Sequence, residues 1–139
     1  MKLYKIFDQL AWWFRFQSTY YEMEYHLKQV LNEKEEQHIK TIFHHDRGIG
    51  KSTALARLSV KYDIPIAVPT CTWSNIITKD IPRYLPKYFK KKLPKTIVMN
   101  ENMRGRKYKV LLMEECLSDE QIAVVNHLCN GAVVGYKNY

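Results

Sequence analysis

Thr41–Val60 reads "TIFHHDRGIGKSTALARLSV". From Lys40 to Asp46 it is a β-branched and aromatic run, the composition of a short buried strand. From Ser52 onward, "STALARLSVKY" sets Leu55, Leu58 and Tyr62 at helical spacing. Between them lies "RGIGKS", a turn with two glycines. Strand, turn and helix in this order open a βα unit, and the rest of the chain repeats the alternation. "DIPIAVPT" (Asp63–Thr70) is a proline-bounded strand, and "TWSNIITKDI" a helix stopped near Pro82. "PRYLPKYFKKKLPK" is a short helix between loops, and "KTIVMN" an extended segment. "YKVLLMEEC" (Tyr108–Cys116) is a strand with four apolar residues in a row, "SDEQIAVVNHL" a helix capped by Ser118 with Gln121 three residues on, and "GAVVGYKNY" a closing strand. Such alternation predicts an α/β fold: three layers around a mainly parallel sheet of four or five strands.

Residues 1–38 read differently. In "LYKIFDQLAWWF", Leu3, Ile6, Phe7, Leu10, Trp13 and Phe14 recur at intervals of three and four, which predicts helix. "TYYE" (Thr19–Glu22) fits a capping box, so a second helix is expected from there, with Leu27, Val30 and Leu31 inward. The aromatic face of Trp12, Trp13, Phe14 and Phe16 either packs on the sheet or meets a partner or second copy. One compact domain is expected: a helical segment over 1–38 and a core over 39–139.

The turn carries the chemistry. A triphosphate brings several negative charges that must be met without crowding the site. Backbone N–H groups of a glycine-containing loop, and the helix N-terminus behind it, do this. A lysine then reaches the outer phosphates and a hydroxyl completes a magnesium shell. Arg47, Gly48, Ile49, Gly50, Lys51, Ser52 and Thr53 form the candidate cradle, with Lys51 as the cation, Ser52 as the magnesium hydroxyl and Thr53 toward the α-phosphate.

The loop resembles that of P-loop NTPases. Its "RGIGKS" form is similar to the variant phosphate loops of viral DNA-packaging motors (large terminase subunits) and of small phage-encoded ATP-binding proteins. Against the pattern GxxxxGK[ST], His45 stands where the first glycine belongs. The resemblance implies that Arg47 acts on the γ-phosphate in cis, a role worth about 10³–10⁵ in rate in other systems; a surface ion pair with Asp46 is the other reading. "VLLMEE" (Val110–Glu115) is similar to a Walker B strand lying beside the P-loop strand, with Glu114 on the metal side and Glu115 orienting the attacking water. Glu114 replaces the usual aspartate and is one methylene longer. The alternative is two carboxylates capping the helix at "SDEQ". "IAVPT" with Cys71, Thr72 and Trp73 resembles a second-strand motif of helicase-like and terminase ATPases. Lys137 or Asn138 would sit at a strand tip as a γ-phosphate sensor, or simply close the strand.

The basic residues are unevenly placed. The chain carries +8 overall, yet eleven Lys or Arg fall between Lys79 and Lys109 against only Asp80 and Glu101. Such a strip suits a polyanion. Tyr88 and Phe89 interleave with Lys87, Lys90, Lys91 and Lys92, which suits single-stranded nucleic acid, as do Arg104 and Arg106. A solvated lysine-rich face, or a turn at 104–107 reaching a neighbour's nucleotide, are the alternatives. Hydrophobic residues make up 46% and charged residues 26%, and no apolar run approaches the ~20 residues of a membrane span. Neither a signal peptide nor a membrane partner is expected, and the cytoplasm is the expected location. Cys71, Cys116 and Cys129 are expected to be buried small hydrophobes, and the five histidines show no metal-ligand spacing.

Together these readings imply ATP and magnesium as cofactors, with slow hydrolysis on or near nucleic acid by a phage-type ATPase. The alternative is a nucleotide-binding interaction protein that hydrolyses little and docks a host or viral partner. A site completed by a partner or a second copy is expected in either case.

Overall fold

Five strands build one sheet in the order β1-β5-β4-β2-β3, and every pairing in it is parallel. The computed structural model describes residues 3–33, 37–42, 50–99 and 108–138. The elements are α1 (Leu3–Glu33), β1 (Gln37–Ile42), α2 (Lys51–Tyr62), β2 (Ile66–Val68), α3 (Cys71–Asn75), α4 (Ile81–Tyr84), β3 (Thr96–Val98), β4 (Tyr108–Met113), α5 (Asp119–Leu128) and β5 (Cys129–Asn138). The α/β class and the N-terminal helix therefore stand.

Alternation along the strands explains the two cores. On one face Ile66, Val68, Leu112, Ala132, Val134 and Tyr136 meet α2 and the second half of α1. On the other, Ala67, Leu111, Met113 and Val133 meet Val125 and Leu128 of α5. Successive side chains of a strand point to opposite faces, so strands covered on both faces are apolar throughout. The "VLLM" run carries this requirement.

The strand carrying Glu114 is not beside β1, contrary to expectation. β5 lies between them, pairing with β1 from Gln37↔Val133 to Ile42↔Asn138 and with β4 from Leu111↔Val133 to Met113↔Gly135. β1 also starts at Gln37, earlier than the Lys40 expected; residues 43–46 lie outside the described part.

The N-terminal region is one helix of 31 residues, not two. At the expected break the helix is unbroken, and the Thr19 hydroxyl donates back to the Arg15 carbonyl at 2.8 Å instead of capping a new N-terminus. The half from Phe16 onward buries Phe16, Tyr20, Met23, Leu27 and Val30, while Leu31 is exposed. Trp12, Trp13 and Phe14 are exposed as well, so of the expected aromatic face only Phe16 packs inward.

Polar contacts fix α1 to α2. Glu24, nearly buried, accepts from the Tyr20 hydroxyl at 2.9 Å and from Lys61 Nζ at 2.7 Å. Burial pushes the Glu24 carboxyl up, but the bonds from Lys61 and Tyr20 outweigh it and hold the group below its ordinary value. The Arg57 guanidinium lies over the rings of Tyr20 and Tyr88, 3.7 and 4.1 Å from their centroids.

The helix after β2 runs past Pro82. It passes from α3 through a π-helical turn, Ile76–Asp80, into α4. The widened turn removes the clash that the proline ring would make with the carbonyl four residues back. A 3-10 turn, Pro86–Tyr88, follows.

Candidate functional site

The first turn of α2 and the carboxyl end of β4 converge at one edge of the sheet. Gly50 caps α2 in the left-handed region (φ 83°), and its carbonyl accepts from the Ala54 amide at 2.9 Å. A side chain here would meet two obstacles: the torsion itself, and Phe16 of α1, whose ring carbon would lie 2.6 Å from a Cβ. Gly50→Ala is therefore expected to cost about 2–4 kcal/mol, read by denaturant unfolding. Truncating Phe16 as well should relieve only the clash, leaving the torsional part. A Gly50→Ala variant as stable as the wild type would refute this account of the turn.

Lys51 opens α2 with its side chain only 4% exposed, and its Nζ lies 3.8 Å from Glu115 Oε2. Ser52, one residue on, donates its hydroxyl to Glu114 Oε1 at 3.1 Å. The Glu115 amide donates to the same oxygen at 3.2 Å. Glu114 is fully buried, and its second oxygen, Oε2, is the one buried side-chain polar atom among the described residues that has no hydrogen-bond partner. A carboxylate without its full set of partners in a dry interior is costly. Burial accordingly pushes the Glu114 carboxyl up to about 7, helped by the neighbouring Glu115 charge. The Glu115 amide, the Ser52 hydroxyl and the Lys51 charge work in the opposite direction.

The convergence follows from topology. The β4 strand ends at Met113, so Glu114 leaves the sheet at its carboxyl edge, where its amide still donates to the Ala67 carbonyl at 3.1 Å. α2 packs over β2 and β4 of the same sheet and presents its N-terminus at that edge, so a hydroxyl on its second residue reaches Glu114 at the end of β4. In open parallel sheets this edge is where ligands bind.

The sequence reading missed what braces the edge. The Gln121 side chain closes the capping box with Ser118, and its amide also donates to the carbonyls of Pro69 (2.9 Å) and Met99 (3.3 Å). One side chain thus ties the ends of β2 and β3 to α5. The capping-box spacing was the available signal, but it says nothing of the two distant carbonyls. Phe16 against Gly50 gave no signal at all.

Gly50, Lys51, Ser52, Glu114 and Glu115 are brought together, and Thr53 sits half-buried in the same helical turn. Arg47, Gly48, Ile49, Arg104 and Arg106 lie outside the described residues. Lys137 pairs loosely with Asp119, 3.9 Å away at the start of α5, on the exposed tip of β5. The basic strip differs from expectation. Lys87, Lys90, Lys91 and Lys92 are exposed, but Phe89 is in the core and the Tyr88 hydroxyl accepts from Gln17 at 3.1 Å. The interleaved aromatics serve packing and do not form a stacking surface; the freely exposed ring is Tyr84, at 81%. Nor are the cysteines buried: Cys71 is exposed and Cys116 and Cys129 are half-buried.

Compared with known protein families, with characterised proteins and with solved structures, the chain matches none of them. Among the described residues there is no cluster of three or more His, Cys, Asp or Glu and no helix long and apolar enough to cross a membrane.

Proposed function

We propose that the chain is a small P-loop nucleoside-triphosphate-binding protein, with ATP and magnesium as its ligands and slow hydrolysis as its activity. One observation carries the reading: Glu114 Oε2 is buried without a partner beside the Ser52 hydroxyl, at the N-terminus of a helix that begins with a buried lysine. A hydroxyl and a carboxylate are the hard oxygen donors magnesium takes. It is usually held by one or two carboxylates with waters and phosphate oxygens, so a three-residue cluster is not needed.

In this reading the amides at the start of α2 and the Lys51 ammonium hold the outer phosphates. Ser52 and Glu114 would hold the magnesium ion, which when bound neutralises charge developing on the phosphate oxygens. Lys51 exchanges its contact with Glu115 for the phosphates, and Glu115, at the rim and half-exposed, is released to orient a water. Arg47 is assigned to the γ-phosphate on the sequence resemblance alone. Action on or near nucleic acid is supported by the exposed Lys87, Lys90, Lys91 and Lys92, without the aromatic stacking component.

Calorimetry of ATP with magnesium, and again with a chelator, tests binding; steady-state turnover with and without single-stranded DNA tests hydrolysis. Glu115→Gln is expected to keep binding and lower turnover about 10²-fold or more, the range of a positioned general base. Binding without turnover in any condition would move the protein to the class of nucleotide-binding interaction proteins. No heat with ATP and magnesium would remove the proposal.

A further inference from the structure

Among the described residues, the first half of α1 buries none of its side chains. Every residue from Leu3 to Arg15 is exposed, and burial begins at Phe16. The contacts fix its direction. Glu24 meets Lys61, Gln17 meets Arg57 and Phe16 meets Gly50, so the two helices run parallel. Residues before Phe16 therefore continue past the N-terminus of α2, an arm of about 20 Å.

The arm is amphipathic in its own register. Leu3, Phe7, Leu10 and Phe14 follow one another at intervals of four, three and four, flanked by Ile6 and Trp13. At 100° per residue this stripe lies about 120° around the helix from the stripe that Phe16, Tyr20, Met23, Leu27 and Val30 bury. An arm stripe continuous with the core stripe would be an interrupted core contact. One rotated away from it faces outward by construction.

We propose that the arm is a self-association element: two copies of this chain pair through the Leu3–Phe14 seam. Three observations favour a second copy. The four-three-four spacing is the seam of a two-helix contact, in which each side chain enters a gap on the facing helix. The six side chains are between 38% and 72% exposed. At about 150–250 Å² for a full large side chain they offer on the order of 650 Å² per copy, about 1,300 Å² per pair, within the range of specific interfaces and above an ordinary surface patch. Lys5, Asp8 and Arg15 lie off the seam, and with Lys2 before it the arm carries a net charge of only +2 (three basic residues, one acidic), short of the Lys/Arg-rich polar face that draws an amphipathic helix to anionic lipid. This proposal does not depend on nucleotide binding.

The test is analytical ultracentrifugation of the full chain from about 1 to 100 µM, a span that brackets a micromolar Kd. The wild type should move from monomer to dimer, and the Phe7→Glu/Phe14→Glu variant should stay monomeric, its Kd raised about 100-fold or more, with unchanged far-UV circular dichroism. Should that variant lose its helix signal, Leu10→Gln replaces it, with a Kd raised about tenfold or more. A wild type that is monomeric throughout overturns the proposal, as does a dimer whose Kd ignores the substitutions. So does a monomer that floats with phosphatidylcholine or phosphatidylserine vesicles and loses this on Phe7→Glu, which would give the face to lipid.

Discussion

Lys51→Ala is expected to weaken ATP binding about 10²–10³-fold, with little change in the unfolding midpoint. Removing one partner of a desolvated charge pair costs about 2–5 kcal/mol, most of it from the partner left unmet. In the bound state that partner is a triphosphate carrying several charges. In the free protein its nearest charged contact among the described residues is Glu115, whose side chain is 21% exposed and open to water once the ammonium is gone. The asymmetry predicts a large loss of affinity and a small loss of stability. Calorimetry gives the first and a thermal melt without nucleotide the second. ATP binding that survives the substitution would leave the glycine turn as a turn and nothing more. A collapse of the melt with no separate effect on affinity would make Lys51 a structural residue.

The parts of this arrangement that were legible in the sequence are the local ones. "GKSTALARL" reads as a helix entered at Gly50 because glycine torsions and helix periodicity are properties of neighbouring residues. "VLLM" reads as a doubly covered strand because burial on both faces removes alternation. "SDEQ" reads as a capped helix start, and the bond between Gln121 and Ser118 is there. Spacing cannot give strand order. Nothing in "VLLMEE" says that β5 would lie between it and β1. Periodicity also fails along α1. It identifies residues that share a face, but not whether that face meets the core, and here two stripes rotated by about 120° occupy one helix. Composition fails in the basic strip for a related reason. Aromatics among lysines look alike whether the rings point out to bases or in to Arg57 and the core, as Tyr88 and Phe89 do.

Glu114 supplies the second large effect, through pH. Its folded-state value is raised, to about 7 from an ordinary 4.5. A raised acid binds its proton more tightly when folded. Its stability contribution is therefore fully present below about 4.5 and is lost as pH rises through about 7. Over that window the loss is of order 3 kcal/mol. Glu24 has the opposite sign and a separate window: its lowered value gives stability that is present above its ordinary range and lost on acidification. A melt series in chelator should thus show stability declining from about pH 5 to pH 8, and Glu114→Gln, neutral and of the same size, should flatten that decline. Magnesium reverses the sense, since it takes the ionised carboxylate: magnesium-dependent ATP affinity should rise up to about tenfold per unit as pH increases toward 7, then level off. In Glu114→Gln both the pH dependence and the magnesium dependence should disappear while chelator-insensitive phosphate contacts to Lys51 persist. A wild-type affinity that is flat between pH 5.5 and 8 would break the link between the buried carboxylate and the metal, and with it the observation on which the magnesium assignment stands.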